Sequence, residues 1–232
     1  IHLKYIWRER DGDSENALIY VTDDVRKYLA KEDVDHFQIW EVLCLEPPFE
    51  NTFVIKPSGI DLEAHNYSDM VQMDLSGNLI DGSLNPSSDE PTHTILYSEN
   101  KDVGGIVHTH SKYASAFAQA NVEIKNFGTT NSDFSETSIF VTDQLTEEQV
   151  VNDYELNTGI KIIEKLKNED VGFLDVPGIL SIRHGVFAWG RDIYEAFKNA
   201  EIIEYIAELC FITQQINPSA KEIESYISHK HF

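Results

Sequence analysis

The chain predicts an α/β domain, and three observations carry that prediction. Its 232 residues suit one large domain, or one domain with a small appendage. An apolar share of 41% with 11% aromatic residues is enough for a sizeable core and argues against disorder. From Asn51 onward, short strand-like runs alternate with stretches of helical period.

Residues 1–50 read as a region of their own. His2 to Trp7 and Ala17 to Val21 are strand-like, joined by a polar turn through Asp11-Gly12-Asp13-Ser14. Thr22 is placed to cap a short helix over Asp23 to Lys31. A third strand-like run, His36 to Leu45, ends at the breaker Pro47-Pro48. No chemistry attaches to this region, and a structural or interaction role is its default.

The second region runs from residue 51 to 232. Phe53-Val54-Ile55 predicts a strand leading into Lys56-Pro57-Ser58-Gly59. Met70 to Leu75 and Leu79-Ile80 flank Ser76-Gly77-Asn78 as a hairpin. The loop Asn85-Pro86-Ser87-Ser88-Asp89 precedes a helix near Thr92 to Glu99. A strand follows through Gly104-Gly105-Ile106-Val107-His108-Thr109-His110-Ser111, then an apolar helix over Tyr113 to Ala120 that packs behind it. Ile139-Phe140-Val141 is a short strand. Thr146-Glu147-Glu148-Gln149 is a capping box opening a helix to Lys167, with an interruption expected near Gly159. Gly178 to Arg183 and Val186 to Trp189 predict two strands meeting at His184-Gly185. Ile193, Ala196, Phe197, Ala200, Ile203, Ala207, Cys210 and Phe211 form the core face of a last long helix, bounded by Asp192 and Asn217-Pro218.

Charge narrows the partners. Forty acidic against 18 basic side chains give a net charge of −22, which argues against nucleic acid or an anionic membrane surface. A phosphate site must therefore rely on local donors. Cys44 and Cys210 form no C-x-x-C and suggest a reducing compartment. With neither a signal peptide nor an apolar run long enough to span a bilayer, the expectation is a soluble, cytoplasmic protein.

The chemistry centres on His108 and His110. Strand side chains alternate, so the two imidazoles leave one face, roughly 6 to 7 Å apart at their Cβ atoms. They suit one metal ion, or equally the solvated face of an edge strand. A catalytic zinc commonly takes three protein ligands and keeps one position open. His184, at a strand end before Gly185, is the best third ligand, and Asp89 is a carboxylate neighbour that either ligates or orients a histidine. His2, His36, His65, His93 and His229 read as surface histidines. Two loops offer anion donors, Lys56-Pro57-Ser58-Gly59 and Ser87-Ser88, although each alone reads equally as a serine turn. Thr129-Thr130-Asn131-Ser132-Asp133 after Gly128 reads first as a capping turn, and as an acid/base position second. Glu155 reads as a solvated helical carboxylate.

Together these stretches resemble the class II aldolase/epimerase family, and within it the epimerase branch. The likeness runs through Val54 to Gly59, Asp69-Met70-Val71, Pro86 to Asp89 with Thr92-His93, and Gly104 to Ser111. It continues through Ala118-Gln119-Ala120, Gly128-Thr129-Thr130, Tyr154-Glu155 with Thr158-Gly159, His184-Gly185 with Phe187 to Gly190, and Lys230-His231. The resemblance implies a three-layer α/β/α fold around a mostly antiparallel sheet. It implies one zinc per subunit on His108, His110 and His184 with Asp89 in attendance, although manganese or cobalt would suit the same histidines. It further implies a pentulose phosphate as substrate and retro-aldol chemistry, with Asp133 as acid/base and with Thr129 and Glu155 lining the site. Lys56, Ser58, Gly59, Ser87 and Ser88 take the phosphate-binding positions. His231 takes the position of a histidine reaching the site from a neighbouring subunit of a homotetramer. The pattern departs in four places: none of Trp7, Trp40 and Trp189 begins the family's N-terminal Trp-Gly-Asn motif, residues 1–50 do not resemble the usual family start, Asn131-Ser132 replace a histidine-alanine pair, and the tyrosine of the family's C-terminal tail has no candidate here.

Overall fold

The computed structural model describes residues 39–44, 51–59 and 69–232. The expected strands at His2 to Trp7 and Ala17 to Val21, the helix over Asp23 to Lys31, and His2, His36 and His65 lie outside these residues.

Seven strands form one sheet: β1 (Ile39–Cys44), β2 (Thr52–Ile55), β3 (Val71–Asp74), β4 (Leu79–Asp81), β5 (Gly105–Thr109), β6 (Gly178–Leu180) and β7 (Val186–Gly190). Their order is β4-β3-β2-β1-β5-β7-β6, and every pairing is antiparallel. β1 comes from the stretch set apart in the sequence, and it lies inside the sheet between β2 and β5. The expected Ser76-Gly77-Asn78 hairpin joins β3 to β4. Asp74 accepts the Ser76 and Asn78 amides at 2.8 Å each, which closes the turn.

Helices cover both faces. α1 (Glu90–Glu99) and α4 (Glu147–Asn168) lie on one side; α2 (Lys112–Ala120) and α5 (Ile193–Ile216) lie on the other. The short helices α3 (Thr129–Ser132) and α6 (Ser225–His231) pack on each other. Strand alternation builds the two cores. From β5, Val107 joins Ala114, Ala118, Ala196 and Ile203, whereas Ile106 joins Leu96, Ile162 and Leu166. From β7, Val186 and Ala188 face the first core, Phe187 and Trp189 the second. The result is the expected three-layer α/β/α architecture.

Three local expectations change. Residues 139–141 form isolated bridges, Ile139 to Ile124 and Val141 to Leu180, in place of a strand. Phe211 is 45% exposed and lies off the buried stripe of α5. The capping box at Thr146 is present, with both reciprocal hydrogen bonds, but α4 is interrupted at Asp153 and not at Gly159. Asp153 takes a non-helical φ of −165° and accepts the Leu156 amide at 3.2 Å, so it caps a second helical segment. Asn157 donates to the Gln149 and Asp153 carbonyls that the break releases. Gly159 instead marks a close approach of helices, because a Cβ there would collide with Ile95 and press on the Thr92 backbone.

Candidate active site

β5 lies between β1 and β7, so the solvated edge-strand alternative for His108 does not hold. His108 is 1% exposed and leaves the same face as Ile106, toward α1 and α4. Phe187, its register partner on β7, stacks on the imidazole with centroids 4.2 Å apart. His108 Nδ1 lies 2.9 Å from the Val186 carbonyl, which can only accept, so Nδ1 carries the proton and Nε2 is left with its lone pair. His110, just past the end of β5, brings its Nε2 to 3.0 Å from His108 Nε2.

His184 enters from the turn between β6 and β7. That turn closes through Ser181, whose amide donates to the Gly185 carbonyl and whose carbonyl accepts the His184 amide. The three imidazole centroids lie 4.7 to 5.0 Å apart, and one ligand nitrogen of each falls within 4.8 Å of the others. Gly185 makes this convergence possible. A Cβ there would strike the Thr109 carbonyl, sit 2.7 Å from His110 Cδ2 and press on His108 Cε1.

Charge and burial suit a cation. Burial holds the His108 imidazole well below the usual range, helped by the neighbouring His184 and His110. Burial lowers His184 to about 4 and also lowers His110. All three are therefore neutral at pH 7, the form that ligates. His184 Nδ1 is buried with no hydrogen-bond partner, and Asp89 Oδ2 lies 3.9 Å from His108 Nε2. Three neutral imidazoles and a carboxylate fit a divalent ion of the zinc, manganese or cobalt kind.

The two anion-donor loops lie side by side. The Ser58 amide donates to the Asn85 carbonyl at 2.9 Å, and the Ser87 amide donates to the Lys56 carbonyl at 3.0 Å. Ser58, Gly59 and Ser88 are exposed, and Gly59 has a φ of +75° with nothing near its Cα face. Ser87 is buried, and its Oγ accepts the Asp89 amide at 3.3 Å. Both loops flank the start of α1, where the helix dipole favours an anion. Lys56 turns its ammonium onto the Pro57 carbonyl.

Asp133 and His231 form a separate pair, with His231 Nδ1 at 3.1 Å from Asp133 Oδ1 on an exposed surface. Thr129 opens α3, and its carbonyl accepts the Asp133 amide. Glu155 begins the second segment of α4, and its carbonyl accepts the Thr92 hydroxyl of α1 at 2.6 Å.

His93 is a correction. It is 0% exposed, not a surface histidine, because α1 is pressed between the sheet and α4 with Thr92 and His93 inward. Its ring lies 5.7 Å from Phe187. His229, by contrast, is 80% exposed at its side chain, as expected. Sequence reasoning missed Phe187, the Val186 carbonyl and Tyr154, whose ring lies 5.8 Å from His184. Strand alternation from Gly185 could have placed Phe187 beside His108. Tyr154 depends on the break at Asp153, which has only a weak local signal. Tyr154 also lines a cavity of about 160 Å³ with Thr142, Lys161, Ser181 and Arg183.

Fold and histidine cluster together define a class. Residues 42–211 match the Class II Aldolase and Adducin N-terminal domain, and the chain belongs to that family. It is similar in fold to an L-fuculose 1-phosphate aldolase, at 20% identity and a TM-score of 0.78, over 94% of this chain and 95% of that one. It is also similar to YgbL of Escherichia coli, described as a putative aldolase/epimerase/decarboxylase, at 17% identity and a TM-score of 0.70, over 92% and 98% of the two chains. The L-fuculose-1-phosphate aldolase of Thermus thermophilus matches at 16% identity and a TM-score of 0.65, over 89% and 98%. Among the described residues no helix is long and apolar enough to cross a membrane.

Proposed function

We propose that the protein performs metal-dependent retro-aldol chemistry on a sugar phosphate, and that its reaction is the 4-epimerisation of L-ribulose 5-phosphate to D-xylulose 5-phosphate. The observation that carries this reading is the convergence of His108, His110 and His184 beside Asp89. A divalent ion held there, zinc by the chemistry of the donors, supplies Lewis-acid polarisation of the ketose oxygens.

The chain's own residues do the rest. Ser58, Gly59 and Ser88, at the positive end of the α1 dipole, hold the phosphate, and Lys56 adds local positive charge to a chain of net charge −22. Buried Ser87 shapes that loop through Asp89. Asp133 exchanges a proton with the C4 oxygen as the C3–C4 bond breaks and reforms. His231 orients that carboxylate, and the two act as a unit at the interface of a homotetramer. Thr129 and Glu155 line the site. The protein works in the cytoplasm on a soluble substrate. The catalytic domain of residues 51–232 takes its middle strand, β1, from the region set apart in the sequence, so the domain begins before residue 51.

Likeness to an L-fuculose 1-phosphate aldolase over nearly the whole chain supports a second reading, cleavage without re-addition. Zinc-loaded protein incubated with L-ribulose 5-phosphate and followed by NMR separates the two. We expect D-xylulose 5-phosphate, lost in His108→Asn together with the bound metal. Accumulating dihydroxyacetone and glycolaldehyde phosphate would replace epimerase with aldolase. No turnover with zinc bound would overturn the enzymatic reading.

A further inference from the structure

The β5–α2 junction, which presents His110, is held from an unexpected place. Ser111 stands at the N-cap of α2 in extended conformation but makes no capping hydrogen bond with its side chain. The acceptor for the first turn comes instead from α5, some ninety residues away. Glu204, 9% exposed, accepts the Tyr113 amide at 2.9 and 3.1 Å and the Ala114 amide at 2.9 Å. The three contacts use both carboxylate oxygens. No lysine or arginine pairs with Glu204 among the described residues, so these amides and the positive end of the α2 dipole compensate its buried charge. One turn further along α5, Glu208 hydrogen-bonds the Tyr113 hydroxyl, and Phe211 packs on the Tyr113 ring at 5.9 Å.

We propose that Glu204 is a positioning residue for the metal ligand His110. The inference rests on the reading that His108, His110 and His184 hold a divalent ion. His110 is two residues before α2 begins and one residue after β5 ends. β7 pins the strand side of this short connection, where Thr109 pairs with Val186. Glu204 pins the helix side. Two fixed ends leave the intervening main chain little freedom, and the direction of the His110 side chain follows from that main chain. Removing Glu204 would leave buried amides without an acceptor and let the first turn of α2 fray, so His110 would sample orientations that do not ligate. Loss of groups that orient a ligand typically costs about 10–100-fold in metal affinity.

The test is cobalt binding by the full chain, read by chelator competition and by the visible spectrum of the bound ion, alongside Tm. In Glu204→Ala we expect about a 10–100-fold loss of cobalt affinity and an altered spectrum. Amide exchange should accelerate at Tyr113 and Ala114. Glu204→Gln conserves volume and one acceptor oxygen, so it folds even if the alanine variant does not, and it should lose affinity several-fold. Unchanged cobalt affinity and spectrum in Glu204→Gln, with a lowered Tm, would overturn the proposal and leave Glu204 a helix cap only. Failure of the unsubstituted protein to bind cobalt would instead overturn the metal reading itself. A normal cobalt site without turnover, weakened in the Glu204 variants, would overturn only the proposed reaction and support the role of Glu204.

Discussion

The histidine cluster and the Asp133–His231 pair are built by opposite means. His108 is fixed by strand pairing on both sides, a stacked Phe187 and the Val186 carbonyl, within a core at 1% exposure. Asp133 caps the end of the short helix α3 and His231 ends α6; both are more than a third exposed and meet through one hydrogen bond. An ion needs several donors at fixed separations, and a sheet with its loops supplies that cheaply. A proton-transfer group needs access and the right moment of contact, so it tolerates an open position. Under the proposed function, ligand geometry therefore resides in the fold, whereas the proposed acid/base pair sits on exposed surface elements.

The sharpest attempt to break this comparison is Asp133→Asn. An exposed carboxylate paired with one histidine contributes little to stability, on the order of 0–1 kcal/mol. Proton transfer from a positioned group contributes about 10²–10⁴-fold in rate. Asp133→Asn should therefore lower kcat for sugar-phosphate turnover by about 10²–10⁴-fold, with Tm and zinc affinity unchanged. A variant that loses zinc would show that the two regions are one.

Acid sharpens the contrast from the other side. Burial lowers His93 to about 4 from an ordinary 6.5. Because its folded value is depressed, the unfolded chain binds the proton first as the pH falls below 6.5. Stability is thus full above about 6.5, falls through the interval, and the loss is complete near 4. The difference corresponds to roughly 3 kcal/mol for His93 alone. Urea denaturation of metal-free protein at pH 7 and pH 4.5 should show a decline larger than this, because burial also lowers His108, His184 and His110. The neutral, near-isosteric His93→Gln should show a shallower one. An equal slope would remove His93 from the acid response.

How much of this was legible follows from which forces set each residue. The spacing of His108 and His110 is a strand property, so their common face could be read from two residues. His184 was legible through Gly185, where close backbone approach was expected and where a Cβ would indeed strike both histidines. His93 was not, because α1 reads Glu-Pro-Thr-His-Thr and carries little apolar pattern; only its position between sheet and α4 buries Thr92 and His93. Gly159 was misread for a related reason. A helical glycine signals a break when judged alone, but here it lets α4 rest on Ile95 of α1. The break at Asp153 came from an Asp caught between two helical segments, and local propensity cannot separate that from an ordinary helical aspartate. Glu204 was invisible, since its partners on α2 lie some ninety residues away.

The smallest effect we predict concerns the one atom that both histidines exclude. Gly185 has no positive φ, so alanine is not opposed by backbone conformation. The opposition is steric: the added methyl meets the Thr109 carbonyl, which β5–β7 pairing holds, and the edges of His110 and His108. Overpacking of this kind costs about 1–3 kcal/mol when neighbours cannot yield. Thr109 cannot move without breaking its pairing with Val186, so the imidazoles must give. Gly185→Ala should lower stability by that amount and weaken zinc affinity as the His110–His184 separation widens. The substitution reaches no proton-transfer group directly, so residual activity at saturating zinc should keep the pH profile of the unsubstituted protein. An altered pH profile with intact zinc affinity would mean that Gly185 serves the acid/base chemistry, and the division between a fixed centre and an open periphery would fail.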